Sequence, residues 1–257
     1  MRILLTNDDG VNAPGLNVLE AIARTLSDDI TIVAPAEEQS GAGRSLTLTR
    51  PLRMRQIDER RYAVAGTPTD AVMMALTEVM KDGPPDLILS GVNRGSNLAE
   101  DVSYSGTVAA AMEGALAGIR SVALSQIYTK KGNDGPGTDV SFAAAEAWGE
   151  RALRPLLDAP WVPRTLVNIN FPAVDPRAVQ GIKVVGQGLR DYGGATMERR
   201  MDPRGFPYYW LRLASRLDSA AVDTDLEAAA AGWVTVTPLH CVLTHEPSMA
   251  ALDAVYR

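Results

Sequence analysis

Short apolar runs alternate with helix-like segments through the first half of this chain, and this alternation constrains the fold more than any other feature. The runs have the length of strands and lie at residues 2–6, 30–34, 87–90 and 122–125. Between the first two, apolar side chains recur at helical spacing at Leu16, Leu19, Ala23 and Leu26. Strands that alternate with helices favour βαβ units. The sequence therefore predicts an α/β fold in which helices flank a mostly parallel sheet.

Other local patterns complete the prediction of secondary structure. Thr67 can cap a helix that has Pro68 in its first turn and Asp70 at its third position, and this helix is expected to end near Met80. Residues 187–207 contain several glycines and indicate a long flexible loop. Short half-exposed strands outside the parallel core are predicted at residues 46–49, 52–57 and 62–65, further helices at 108–116 and 142–157, and further strands at 166–170, 182–185 and 234–237.

The composition is that of a globular chain with an acidic charge balance. Its 257 residues are 46% hydrophobic, which is enough for a sizeable core. A net charge of -6 does not provide the broad basic surface that binds duplex nucleic acid. Cys241 is the single cysteine, so no internal disulfide can form. With no signal-peptide pattern and no apolar run near the roughly 18 residues of a membrane helix, we expect a cytoplasmic protein without a membrane partner.

Two adjacent carboxylates, Asp8 and Asp9, directly follow the first predicted strand. Burying unpaired charge costs free energy, and like charges side by side repel. A divalent cation would remove both penalties, and oxygen ligands of this kind suit Mg²⁺, Mn²⁺ or Ca²⁺. Gly10 would let the backbone turn closely around such an ion. The alternative is that both residues only cap the helix that begins near Pro14.

Three loops follow the carboxyl ends of predicted core strands, at residues 7–14, 35–44 and 91–107. In an open parallel sheet these ends lie along one edge, where ligands bind. The polar side chains of the three loops can therefore converge, and together they form a plausible site for a hard cation. The side chains concerned are those of Asp8, Asp9, Ser40 and Asn93. Taken alone, Ser40 is better explained as a turn residue and Asn93 as the former of an Asx-turn.

The third loop ends at residues 104–107, Tyr-Ser-Gly-Thr, and runs directly into a predicted helix. Free backbone N–H groups and the helix dipole at such a position bind an oxyanion, and the hydroxyls of Ser105 and Thr107 can donate further hydrogen bonds. A plain serine or threonine cap is the alternative. A cation site and an anion site on one sheet edge together indicate phosphate ester chemistry.

These segments resemble the SurE (survival protein E) family of metal-dependent phosphatases, which act as 5′/3′-nucleotidases. The most specific matches are the runs NDDG at residues 7–10, GTPTD at 66–70, SGVN at 90–93 and YSGT at 104–107. Further matches lie at residues 13–15, 34–35, 40–41 and 108–113, at Gly95 and Asn97, and at residues 202–205, 208–210, 224–225 and 237–239. The resemblance therefore covers essentially the whole chain.

The resemblance implies a Rossmann-like catalytic core over residues 1–165 and a smaller oligomerisation part over residues 166–257 of the same domain. It also implies one divalent cation per subunit, magnesium, manganese or similar. The implied cation ligands are Asp8, Asp9, Ser40 and Asn93, and the implied phosphate-binding residues are Gly41, Asn97, Ser105, Gly106 and Thr107. The implied activity is hydrolysis of nucleoside 5′- and 3′-monophosphates, with exopolyphosphatase activity in some members.

The sequence leaves the mechanism and the roles of several residues open. Asp8 and Asp9 are expected to be the catalytic residues, with a metal-activated water attacking phosphorus, whereas an aspartyl-phosphate intermediate is the rival route. A nucleotide-binding regulatory module without catalysis is a further alternative. His240 and His245 are read as ordinary positions outside the site. Arg190, Tyr192 or a residue of a partner chain could stack on a nucleobase, but solvated loop charges are the preferred explanation.

The C-terminal part is expected to form a homodimer or homotetramer. The core sheet is taken to be complete by residue 125, so the later apolar residues are expected to be covered by another subunit, whereas a small second core of their own is the alternative. These residues are Tyr208, Tyr209, Trp210, Leu211, Leu213, Trp233, Val234 and Val236. Aromatic side chains of this kind are typical of interface centres.

Overall fold

A nine-stranded sheet organises the chain in the computed structural model, which describes residues 1–128, 140–190, 195–213 and 222–257. The strands of this sheet are β1 (Ile3–Thr6), β2 (Ile30–Pro35), β3 (Met54–Asp58), β4 (Arg61–Val64), β5 (Leu87–Arg94), β6 (Arg120–Gln126), β7 (Thr165–Phe171), β8 (Ile182–Val184) and β11 (Val234–His240). The strands β9 (Ala195–Met201) and β10 (Pro207–Leu213) form a separate pair. The helices are α1 (Pro14–Arg24), α2 (Pro68–Met74), α3 (Gly106–Leu116), α4 (Ala143–Asp158), α5 (Asp225–Ala230) and α6 (Glu246–Tyr256). None of the helices in these ranges is long and apolar enough to cross a membrane.

The strand order in the large sheet is β3-β4-β2-β1-β5-β6-β7-β11-β8. Its six central strands, from β4 to β7, are all parallel. The chain moves outward from β1 to β2 and β4, and then returns to place β5 on the other side of β1. This reversal creates a switch point between β1 and β5, which is where ligands bind in open α/β sheets. The predicted α/β class with a mostly parallel sheet is confirmed.

Helices cover both faces of the sheet, and β1 shows why. Ile3 and Leu5 pack into a buried cluster with side chains of α1 and α4. Leu4 points to the opposite face, where it packs with side chains of α2 and α3. Because successive strand residues alternate in direction, a strand that is apolar at every position must be covered on both sides. The entirely buried run Ile3–Thr6 meets this condition.

The predicted capping pattern at Thr67 is confirmed. The Thr67 hydroxyl accepts a hydrogen bond from the Asp70 backbone N–H at 3.1 Å, and the Asp70 carboxylate accepts one from the Thr67 N–H at 2.8 Å. The same carboxylate binds Thr47 through its N–H at 3.1 Å and its hydroxyl at 2.6 Å. After α2 the helix continues as a π-helical turn, Ala75–Val79. Met80 is its C-cap, so the helix ends where it was predicted to end.

Two predictions of strands at the N-terminal edge are wrong. Residues 46–49 form no strand, because Thr47 is held by Asp70 instead of by a neighbouring strand. Residues 62–65 were expected outside the parallel core, but β4 pairs in parallel with β2 and so extends that core. β3 alone is antiparallel there, at the sheet edge.

The expectation that the core sheet is complete by residue 125 is also wrong. β7 adds a sixth parallel strand beside β6, and β11 and β8 continue the same sheet. The sheet therefore needs residues from both sides of the predicted boundary at residue 165. β11 runs antiparallel to β7, so this edge differs from the alternating core.

The segment predicted as a flexible loop at residues 187–207 contains part of a β-hairpin. β9 and β10 pair antiparallel over their whole lengths. Between them, the Asp202 carboxylate accepts hydrogen bonds from the N–H groups of Arg204 at 2.8 Å and Phe206 at 2.9 Å, and Gly205 has a positive φ of 84°. The turn sequence Asp-Pro-Arg-Gly between two alternating segments is a signal that predicts this hairpin.

Candidate active site

Three loops meet at the carboxylate pair beside the switch point. The Asp8 carbonyl accepts a hydrogen bond from the N–H of Gln39 at 2.7 Å, in the loop after β2. The Asp9 carboxylate accepts one from the N–H of Arg94 at 3.0 Å, at the end of β5. Thr107 in α3 donates its hydroxyl to the Asp8 carboxylate at 2.5 Å. The predicted convergence of the three loops is thus present around Asp8 and Asp9.

Burial dominates the electrostatics of the pair. Asp8 is 4% exposed, and burial raises its pKa to about 6, although the hydrogen bond from Thr107 opposes this shift. Burial also raises the pKa of Asp9, against the hydrogen bond and charge of Arg94. Neither residue caps α1, whose N-cap is Ala13 with no side-chain hydrogen bond. The capping alternative for the pair is therefore wrong.

Ser40 and Asn93 lie one residue from groups that bind the pair. Exposed Ser40 donates its hydroxyl to Glu38 at 2.9 Å, two residues away. Asn93 donates its amide nitrogen to the Gly95 carbonyl at 3.0 Å, and its amide oxygen is the atom left for a ligand. Both make the local contact of a turn residue, so their roles as cation ligands stay predictions.

The carboxylates available for a metal are few. Among the described residues, no group of three or more His, Cys, Asp or Glu side chains is arranged to hold a metal ion. A cation at the pair would thus need neutral oxygens and water to complete its shell. Neighbouring Asn7 is buried and leaves its amide oxygen without a hydrogen-bond partner. Two desolvated carboxylates and this buried oxygen fit a hard cation.

The N-terminus of α3 approaches Asp8 very closely, and Gly106 makes this possible. A Cβ atom on Gly106 would lie 2.8 Å from Asp8 Cβ and 2.9 Å from Asp8 Oδ2. Ser105 is the N-cap of α3, and its hydroxyl accepts a hydrogen bond from the Val108 N–H at 3.0 Å. The plain cap is therefore present for Ser105. Thr107 is fully buried and uses its hydroxyl on Asp8.

Two further predicted phosphate-binding residues lie in different surroundings. Gly41 is exposed, has a positive φ of 78° and would admit a Cβ without contact. Asn97 is buried, and its amide donates to the Ser125 hydroxyl at 2.8 Å. The Asn97 carbonyl accepts hydrogen bonds from Asn168 at 2.7 Å and Asn170 at 3.1 Å. Their roles in binding phosphate stay predictions.

Sequence reasoning missed Asn168 and Asn170, and misread Arg190. An Asn-x-Asn pair inside a buried strand is a signal that was available, because buried amides need partners. The Arg190 side chain does not lie in water, since it is 8% exposed and pairs with Glu100 and Asp101, and its stacking on a nucleobase stays a prediction. Tyr192 lies outside the described residues. His240 is the last residue of β11. His245 precedes α6, and its Nδ1 lies 2.6 Å from the Ser248 hydroxyl. Both histidines therefore lie at ordinary positions at the ends of secondary-structure elements, as predicted.

Fold and site together define a class: an α/β protein of Rossmann strand order with a buried carboxylate pair facing a helix N-terminus at its switch point. A family model described as "Survival protein SurE" matches residues 3–194. Two relatives, both called "5'-nucleotidase SurE", come from Rhizorhabdus wittichii, 70% identical over all of both chains, and Erythrobacter litoralis, 54% identical over 98% of each. A crystal structure of SurE protein from Aquifex aeolicus superposes with a TM-score of 0.84 at 37% identity and covers all of both chains. This chain belongs to the SurE family.

The buried carboxylate leads to a prediction for Asp8→Asn in metal-free protein. The folded-state pKa is raised from 3.8 to about 6, so the charged form weakens the fold as pH rises through this window. At about 1.4 kcal/mol per pKa unit, the variant should exceed the parent in free energy of unfolding by up to about 3 kcal/mol at pH 7.5 and match it near pH 4. Urea unfolding with chelator measures this, with exposed Asp28→Asn as control. Equal stability at pH 7.5 would contradict the burial argument.

The close approach of α3 leads to a second prediction, for Gly106→Ala. The added Cβ would require Asp8 or the helix to shift. A misplacement of about 1 Å can lower turnover on the order of 10²-fold, which we expect here for phosphate release from a nucleoside 5′-monophosphate. Gly186→Ala is the matched control, because its Cβ would meet only the Asp223 carbonyl at 3.9 Å. Circular dichroism checks the fold. Full activity of Gly106→Ala would show that turnover does not depend on the close approach of α3 to Asp8.

Proposed function

We propose that this chain is a phosphomonoesterase that hydrolyses nucleoside 5′-monophosphates to nucleoside and phosphate. The observation that carries the proposal is the contact between buried Asp8 and the N-terminus of α3. It brings a cation-binding group and an oxyanion-binding group together, as phosphate ester hydrolysis requires. Relatives at 70% and 54% identity are named as 5′-nucleotidases, which supports an enzyme over a regulatory module. 3′-Monophosphates and polyphosphate ends carry a similar terminal phosphate, and we include them as further substrates.

We further propose that one divalent cation, Mg²⁺ or Mn²⁺, binds at the carboxylate pair. Asp8 and Asp9 would hold it with the side-chain oxygens of Ser40 and Asn93. When bound, such a cation would supply Lewis acidity and neutralise phosphate charge. The donor set is entirely oxygen, which suits hard cations. The burial that raises the pKa of both carboxyls would then favour the ion, because their charge would no longer be unpaired.

The chain's own residues would orient the substrate. The backbone N–H groups of Gly106 and Thr107 at the start of α3 would hold phosphate oxygens. Ser105 accepts a hydrogen bond at the cap, which leaves its hydroxyl proton to donate to the phosphate. Thr107 holds the Asp8 carboxylate in place. Gly41 and Asn97, in the loops around the pair, would contribute further contacts to the phosphate.

The burial of Asp8 also bears on the aspartyl-phosphate route. A nucleophilic carboxylate must reach phosphorus in line with the leaving oxygen, whereas Asp8 is 4% exposed and bound by Thr107. Attack by water, with the carboxylates of Asp8 and Asp9 holding the cation, fits this geometry better. Asp9 is less buried and is the residue that a covalent route would use.

A phosphate-release assay tests the function. Purified protein should hydrolyse adenosine 5′-monophosphate, lose this activity in excess chelator and regain it with Mg²⁺ or Mn²⁺. Asp8→Asn and Asp9→Asn should fall close to background, because each removes a ligand charge. Asp28→Asn, an exposed carboxylate away from the site, serves as the matched control. Full turnover in chelator would contradict the metal, and acid-stable phosphate on the protein would favour the covalent route.

We also propose that the C-terminal part, residues 166–257, forms a homo-oligomer. The hairpin strand β10 exposes Tyr208, Tyr209, Trp210 and Leu211, with Trp210 57% exposed. α6 has no buried residue. Val234 and Val236, expected at the interface, pack instead in the chain's own core. The side chain of Leu213 lies outside the described part, and Trp233 is half-buried.

Light scattering at low micromolar concentration tests the oligomer. The expected mass is twice or four times the 27.5 kDa of one chain. Trp210→Ser should lower this mass if the hairpin forms the contact, because it removes the largest exposed aromatic side chain there. Val162→Ser, an exposed apolar position outside the hairpin, is the control. A parent mass near 27.5 kDa would refute the proposal.

A further inference from the structure

The turn before α3 contains a residue in an unfavourable backbone conformation. Ala99 has a φ of 53°, in the left-handed region that alanine rarely adopts. Such a residue persists only where its surroundings hold it. The turn comprises residues 97–101 and leads through a 3₁₀ helix, Ala99–Ser103, to the Ser105 cap. The Asp101 carbonyl accepts a hydrogen bond from the Tyr104 N–H at 3.0 Å, which ties the turn to the cap.

Arg190 binds both acidic side chains of this turn. Its guanidinium lies 2.9 Å from the Glu100 carboxylate and 2.9 Å from the Asp101 carboxylate. Its backbone N–H donates to the second Glu100 oxygen at 3.0 Å. The Arg190 side chain is 8% exposed, whereas the side chains of Glu100 and Asp101 are 37% and 27% exposed, so water screens these ion pairs only in part. Without Arg190, two adjacent acidic groups would be left partly buried and uncompensated.

Asp225 and Gln187 bind the backbone of Ala99 itself. The fully buried Asp225 carboxylate accepts a hydrogen bond from the Ala99 N–H at 2.8 Å. Its other oxygen accepts one from the Gly188 N–H, also at 2.8 Å. The Gln187 amide donates to the Ala99 carbonyl at 2.8 Å. Both polar groups of the left-handed residue are therefore held by residues from the C-terminal third of the chain.

We propose that Arg190 and Asp225 are positioning residues for phosphate binding. They fix the turn at residues 97–101 and, through it, the N-terminus of α3. The inference rests on the proposed phosphatase function, because it assigns α3 the role of holding phosphate. Neither residue touches the carboxylate pair, whose hydrogen bonds come from Gln39, Arg94 and Thr107. Their loss should therefore weaken phosphate binding and turnover while leaving cation affinity unchanged.

The test compares Arg190→Gln and Asp225→Asn with the parent and with Arg24→Gln, which removes an arginine from an exposed ion pair on α1. We expect kcat on adenosine 5′-monophosphate to fall about 10- to 100-fold, in line with a small misplacement of reacting groups. The inhibition constant of inorganic phosphate should rise at least about fivefold, and Mn²⁺ affinity by titration should stay within about twofold. Arg190→Lys should be intermediate, because a single ammonium cannot match the fork of a guanidinium.

Each outcome decides the proposal. If the parent is active and the folded variants match it in kcat and phosphate inhibition, the positioning role is wrong and the proposed function stands. If Arg190→Gln does not fold, parent-like activity of Arg190→Lys overturns the role. If the parent releases no phosphate, the proposed function fails. Hydrogen exchange of the amides at residues 99–107 then tests separately whether Arg190 and Asp225 fix the turn and the start of α3. Equal exchange in parent and variants would then refute the positioning role.

Discussion

The structure depends on the burial of one carboxylate, Asp8, between the end of β1 and the N-terminus of α3. Burying this group is unfavourable unless its oxygens are bound, and Thr107 supplies a hydroxyl donor from the helix. The helix α3 can approach the strand closely only because it begins with Gly106 and has small residues along its buried face. Gly114 shows the same constraint, since a Cβ there would lie 2.5 Å from Ile88 on the sheet. The hydrogen bond between Thr107 and Asp8 thus links the packing of α3 on the sheet to the geometry of the site.

The parts of the fold predicted correctly are those encoded by neighbouring residues. β1, α1 and the Thr67 cap each follow from spacing within a few residues, and the structure has all three. The errors concern pairing between distant segments. Residues 62–65 have a half-exposed pattern, yet β4 pairs in parallel with β2 and so joins the parallel core. The hairpin of β9 and β10 was hidden by its glycines, although its Asp-Pro-Arg-Gly turn was present in the sequence.

The site shows the same division. The convergence of three loops followed from the rule that parallel strands end at one edge, and the contacts of Asp8 and Asp9 are consistent with it. The sequence could not show which hydroxyls were already used. The Thr107 hydroxyl was predicted to donate to the phosphate, but it donates to the carboxylate of Asp8, which lies 99 positions earlier. Arg190 was read as a loop charge because its carboxylate partners lie 89 and 90 residues away.

The tie between Ala99 and Asp225 spans 126 residues, and this has a consequence for the chain during its synthesis. The six parallel strands are complete at Phe171, so most of the sheet can assemble on the ribosome before α5 has been made. The turn ahead of α3 would still lack its final restraint at that stage. A nascent or prematurely terminated chain would then be largely folded yet poor at retaining phosphate. Competence for the reaction would arrive only with the last elements of the chain.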